Sequence, residues 1–225
     1  MRLHFLGHAS FLLTSASGRR VLLDPCRPGA LGGKIRTAQL ASPPDAIAVT
    51  HYHEDHGWTG AVPGAAPVVD ASTTLFGIRF RAVTAPHDGQ SGSRMGLTRS
   101  FVITVDGLRV LHVGDLGEFD DEWLRAVGPV HLALVPAGGV YTLAPDRAAE
   151  LAVRTRADWV IPMHYRTSDV DLPIAERGPF VDAMAQRGVA SRPASNPAQL
   201  SRVGAERLPR GVLLMDALPS DTRLA

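Results

Sequence analysis

Four short apolar runs in this chain lead directly into side chains that can bind a metal, and this restricts the fold more than any other feature. "AIAVT" leads into His51, His53, Asp55 and His56, "RAVTAP" into His87, "VLHVG" into Asp115, and "WVIPM" into His164. Runs of this length, rich in β-branched residues and bounded by Gly, Pro or Asp, read as strands. Ligands from four strand ends can meet only if those ends share one edge. A rigid scaffold then holds a site on its loops.

Further runs follow the same pattern: "LHFL", "SFLLT", "RVLLD", "PVVD", "SFVITVDG", "HLALVP" and "GVLLMDAL". Asp106-Gly107 between two apolar runs is a strong hairpin signal. Helical spacing is sparser. Pro145 suits a first helical position, with Ala148, Leu151, Ala152 and Thr155 on one face, and residues 119–127 and 179–188 are two further candidates, the last stopped by Gly188. Many strands with few, separated helices predict a layered α/β fold, in one domain spanning residues 1–225. The Pro/Gly-rich stretch 27–44 reads as a long surface loop, and 191–210 as irregular polar chain.

Composition excludes several classes. The net charge is +1, and 22 of the 23 basic residues are scattered arginines, so no nucleic-acid footprint is expected. The single cysteine, Cys26, rules out an internal disulfide and a multi-cysteine metal site, and is expected to be an inert thiol. The N-terminal segment loosely imitates a secretory signal, but His4, Gly7 and His8 interrupt it, and two strands are expected there. No run has the length of a membrane span. Cytoplasm is the expected compartment, and a homo-oligomer stays open.

Seven ligands divide between two ions. His51, His53 and His87 form a three-histidine face; Asp55, His56 and His164 serve a second ion; Asp115 can bridge. Imidazole and carboxylate without thiolate suit two divalent ions, zinc first, with manganese or iron as alternatives. Four positive charges less the two of Asp55 and Asp115 leave a centre that attracts an anionic or carbonyl oxygen. A hydroxide shared between the ions is the expected nucleophile, because zinc can bring the pKa of its water to about 7. Asp55 is the expected catalytic residue, orienting that nucleophile or shuttling its proton. His8, Tyr165 and Arg166 are candidates for meeting a small, anionic substrate, Arg166 having a surface ion pair as its other reading. His4, His112 and His131 are expected to be structural. Asp24 is either a turn carboxylate or the partner that orients a ligand histidine.

"THYHEDH" resembles the HxHxDH signature of the metallo-β-lactamase superfamily, and His87, Asp115 and His164 match its later ligand motifs in order. "GHASFLL", "VLLDP", "MGLTRSFVI", "HVGD" and "VIPMHYRT" narrow the resemblance to the UPF0173 metal-dependent hydrolases and L-ascorbate-6-phosphate lactonase-like proteins, over about residues 3–170. The resemblance implies an αββα sandwich of two mixed sheets with a dinuclear site at their shared edge and a role as a hydrolase; attack of the shared hydroxide on an ester, lactone or phosphodiester is the expected reaction. Aspartate at 115, where many lactamases carry Cys, points away from antibiotic hydrolysis. "GDLGEF" departs from the usual "GDT", and the resemblance assigns no role to 27–44 or to the chain after 170. The rival reading is a metal-bound sensor or binding module of the same fold without turnover.

Overall fold

The computed structural model of the chain describes residues 1–201 and 210–225. The first half supplies β1 (Arg2–Gly7), β2 (Ser10–Thr14), β3 (Arg20–Leu23), a distorted turn α1 (Ala30–Gly33), β4 (Gln39–Leu40), β5 (Ala46–Ala48), β6 (Val68–Val69), β7 (Thr73–Leu75), β8 (Ile78–Pro86) and β9 (Leu97–Val105). The second half adds β10 (Leu108–His112), α2 (Asp121–Val127), β11 (Leu132–Pro136), α3 (Pro145–Arg154), β12 (Trp159–Met163), α4 (Gly178–Gln186), β13 (Ser191–Ala194), β14 (Ala198–Gln199), β15 (Gly211–Met215) and β16 (Arg223–Leu224).

Two mixed sheets face each other. One has the order β14-β1-β2-β3-β5-β6, the other β13-β15-β12-β11-β10-β9-β8-β7. Period-two alternation explains why both faces of the first sheet are apolar. Leu3, Phe5, Phe11, Leu13, Val21 and Leu23 point into the large core between the sheets. The intervening Leu6, Leu12 and Leu22 form a separate outer cluster with Ala38 and Leu40. Phe5 and Phe11 stack with centroids 4.7 Å apart, and each buried ring contributes on the order of 2–3 kcal/mol.

The helices form as their sequences require. Asp120 caps α2 by accepting the Trp123 N–H at 2.7 Å, and Pro145 opens α3, whose Ala148, Leu151 and Ala152 are buried. Helix α2 contacts β8, α3 contacts β11, and α4 packs on α3. The β9–β10 hairpin turns through Asp106 and Gly107, both at positive φ.

Two expectations for irregular chain are corrected. Within 27–44, β4 pairs with β16, while Ala30 and Ile35 are buried with Cys26, Val170, Leu172 and Ile174 in a small core of their own. Apolar residues spaced through a Gly-rich stretch were enough to anchor it. Residues 191–194 and 198–199 are strands β13 and β14, recruited by backbone pairing with β15 and β1; of the remainder of that expectation, 202–209 lies outside the described residues.

Candidate metal centre

Strand direction gathers the site. In the first sheet β1 and β3 are each antiparallel to β2, and β5 runs parallel to β3, so β1, β3 and β5 end at one edge. In the second, β8 and β10 flank antiparallel β9, and β11 and β12 continue parallel to β10, so β8, β10 and β12 also end together. His8, Asp24, His51–His56, His87, Asp115 and His164 all follow these six strand ends. His8, Asp24 and His164 have left-handed backbones (φ 55°, 43° and 50°), a costly conformation that clusters at functional sites. Gly114, at φ 66°, lets Asp115 approach: a Cβ there would lie 2.9 Å from the Thr50 Cγ2.

The seven expected ligands converge. His51 Nε2 lies 3.0 Å from His53 Nδ1 and 3.2 Å from His87 Nε2. Asp115 Oδ2 is 3.2 Å from His56 Nε2, 3.3 Å from His164 Nε2, 3.5 Å from His87 Nε2 and 3.9 Å from His51 Nε2. Ligand atoms of His51, His53 and His87 form one compact group, and those of Asp55, His56 and His164 another that also includes His8. Buried lone-pair donors this close need protons or cations between them. The buried Asp115 Oδ1 and His56 Nε2 make no hydrogen bond, which fits a cation site. Six imidazoles and two carboxylates suit zinc, manganese or iron.

Electrostatics matches that chemistry. Burial, with the charge of His56, lowers His51 to about 3; burial and His164 lower His8 to about 4 against the pull of Asp55. Both imidazoles are presented neutral: His51 keeps its Nε2 lone pair free, and His8 gives its Nε2 N–H to Asp55. Burial alone would lower His56 too, but Asp115 and Asp55 hold it well above its ordinary value. Burial would raise Asp55 and Asp115, yet His56 and His8 hold the first, and His164 and His56 the second, below the usual carboxylate range.

Asp24 takes the place an orienting partner would hold, behind two candidate ligands. Fully buried, its Oδ2 accepts from His56 Nδ1 at 2.9 Å, from His112 Nε2 at 2.8 Å and from Thr50 Oγ1 at 2.7 Å, while Oδ1 takes the Thr50 N–H at 2.8 Å. With the Thr50 hydroxyl proton spent on Asp24, its oxygen accepts from His51 Nδ1 at 3.0 Å. One carboxylate thereby sets the tautomers of two candidate ligands, leaving both Nε2 atoms facing the cage.

His112, expected to be merely packed, is buried but joins this network. Sequence reasoning also missed Thr50 and Glu54. The threonine directly before the histidine motif was the available signal. Glu54 is no ligand: it accepts from Arg27 Nη1 at 2.6 Å and from the Leu31 N–H, pinning the 27–31 loop to the motif.

Three expected substrate contacts stand elsewhere. His8 lies inside the cage, its Nε2 donating to Asp55 Oδ2 at 3.1 Å. Tyr165 turns away from the left-handed His164 into the core near Phe5, its phenol engaging Arg177. Arg166 pairs with Glu176 at 3.3 Å on the surface, its alternative reading. His4 is buried, and His131 Nδ1 accepts the Arg109 N–H.

The family profile described as beta-lactamase superfamily domain matches residues 2–164. This chain belongs to the metallo-β-lactamase superfamily. Within the superfamily, it is 34% identical over 193 residues to a UPF0173 metal-dependent hydrolase of Methanoculleus marisnigri, covering 74% of this chain and 82% of the relative. A UPF0173 metal-dependent hydrolase of Thermococcus onnurineus is 30% identical over 195 residues, 74% of this chain and 85% of that one. Among solved structures, a metallo-β-lactamase superfamily protein of Thermotoga maritima superposes with a TM-score of 0.75 at 25% identity, covering 96% of this chain and 99% of the other. This member of the superfamily is a metal-dependent hydrolase of the UPF0173 group with the α/β fold of mixed sheets flanked by helices. Among the described residues no helix is long and apolar enough to cross a membrane.

Proposed function

We propose that this hydrolase uses two divalent cations to cleave an ester, lactone or phosphodiester bond in a small substrate. The observation that carries the reading is the position of Asp115 Oδ2, within 3.5 Å of His87 from one ligand group and of His56 and His164 from the other. His51, His53 and His87 would hold one cation, Asp55, His56 and His164 the second with His8 in reach, and Asp115 would serve both. Bound there, zinc or a similar ion supplies Lewis acidity and draws the ionisation of water toward neutral pH.

The protein's own groups do the rest. Asp55 stays charged at neutral pH, so its Oδ2 can orient the attacking water and accept its proton. The N–H of His8 restrains that carboxylate. All of the groups in the cage except the exposed His53 are buried, which strengthens the charge interactions among them. A core shared by both sheets supports treating the chain as one catalytic domain.

The test offers zinc- or manganese-loaded protein a panel of esters, thioesters, lactones and phosphodiesters. Turnover abolished by chelation and by Asp55→Ala is the expected result. Turnover that survives either treatment, or tight binding with no turnover of any class, overturns the reading.

A further inference from the structure

Of the eight large apolar side chains exposed among the described residues, Leu31, Tyr52, Trp58, Leu97 and Val140 stand on or beside the loops that carry the candidate ligands, while Val68, Phe76 and Val153 lie elsewhere. Tyr52, 61% exposed, sits between His51 and His53. Leu97, 59% exposed, pairs with Pro86 and follows Gly96, whose carbonyl accepts the His87 N–H at 3.0 Å. The Leu31 N–H donates to Glu54, the neighbour of His53, and Val140 lies two residues beyond Gly138, whose N–H donates to the His164 carbonyl at 3.0 Å.

Leu31 and Val140 carry a second, independent signal. Both have left-handed backbones, φ 52° and 64°, although they are 41% and 70% exposed. A branched side chain is disfavoured in that region, and for a β-branched one it is a true outlier. Such exposure leaves little packing to offset the strain, and glycine would adopt the same turn freely. Phe76, at φ 52° and 51% exposed in the β7–β8 turn, shares this conformation away from the candidate ligands, so the strain at Leu31 and Val140 counts only together with their place on the ligand-bearing loops.

The cations around the mouth are largely spent. Arg27 pairs with Glu54 at 2.6 Å, Arg36 with Asp169 at 3.0 Å and Arg166 with Glu176 at 3.3 Å; among the described residues Arg94, on the loop after His87, and Arg99, whose Nη1 donates to the Thr50 carbonyl at 3.2 Å, are in no ion pair. Against these two cations stand the apolar side chains of Leu31, Tyr52, Leu97 and Val140, with the Tyr52 hydroxyl already committed to Asp70 at 2.7 Å.

We propose that Leu31, Tyr52, Leu97 and Val140 form an apolar collar that receives an uncharged acyl or aryl group, making the substrate an alkyl or aryl ester or lactone rather than a phosphodiester. This rests on the hydrolase reading above and names its substrate class.

Two measurements test it, using the full chain and the variants Leu31→Gly and Val140→Gly, which relieve backbone strain and so retain the fold. The first needs no metal: Nile red binding to chelated protein. Expected is saturable binding, weakened at least about fivefold when both side chains are removed, as loss of buried apolar area dictates. No binding, or binding indifferent to the variants, overturns the collar. The second titrates zinc-loaded protein with acetohydroxamate, hexanohydroxamate, octanohydroxamate and succinomonohydroxamate. Affinity should rise roughly two- to fourfold per methylene, and the slope should flatten in the variants. A flat series, or preference for the charged succinyl compound through Arg94, overturns the proposal. Variant-sensitive dye binding with no hydroxamate binding at all supports the collar and counts against the metal-centred reading instead.

Discussion

The Asp24 carboxylate meets His56 Nδ1 at 2.9 Å, across 32 positions of sequence and with both side chains fully buried. The same oxygen takes protons from His112 and Thr50, so this carboxylate ties the ends of β3, β5 and β10 together behind the cage. Burial would raise its pKa, but His112 and His56 hold it below the usual range.

Asp24→Asn is expected to keep the shape but replace an acceptor with an amide that cannot serve three donors. Metal affinity should fall roughly 10–100-fold, the usual cost of losing such an orienting partner. Competition with a chromophoric chelator measures it. Unchanged affinity would show that the histidines need no support.

The two ligand groups should be separable. His87→Ala removes a member of the three-histidine group and His164→Ala a member of the other. Each is expected to lower bound metal from two ions per chain to about one by elemental analysis, because the remaining group keeps its own donors. Asp115→Ala should weaken both sites. Full occupancy in either histidine variant contradicts the division.

Cys26 should be silent in the folded protein. Burial, with the nearby charge of Asp55, pushes its thiol up to about 12, and it packs with Ala30 and Ile35. A disulfide reagent at mildly alkaline pH should react slowly with native protein and promptly once denaturant is added, since the thiolate is the nucleophile. Fast reaction of the native chain would place the 27–37 segment away from its small core.

Acid should expose the role of Asp45. Its Oδ2 accepts the Arg20 backbone N–H at 2.8 Å and its Oδ1 meets Arg19 Nη1 at 2.6 Å; the backbone bond is the larger cause of a lowered pKa, opposed by partial burial. A carboxyl depressed in the folded state contributes stability above its unfolded pKa and loses it as pH falls through the folded value. Asp45→Asn should therefore melt below wild type at neutral pH, with the gap in Tm narrowing through the carboxylate range. A gap constant with pH assigns the loss to geometry rather than charge.

Much of this was legible in the chain itself. Strands and the convergence of candidate ligands announced themselves because period-two burial and metal binding each impose local rules: short β-branched runs, then "HYHEDH", His87, Asp115 and His164 directly at their ends. The Asp106-Gly107 turn and the Pro145 helix start were equally local. What tertiary structure alone decided was partnership. Asp24 in "LLDP" reads equally as a turn residue, and only the parallel course of β3 and β5 brings it beneath His56. Arg166 follows a ligand in sequence yet faces Glu176, and Tyr165 is turned into the core, because the left-handed backbone at His164 redirects the chain beyond it. The 27–44 stretch looked solvated until Val170, Leu172 and Ile174 arrived to bury Ile35. Residue type and spacing set what a side chain can do; which group it meets depends on contacts between segments far apart in the chain, and these exist only once the sheets have closed on each other.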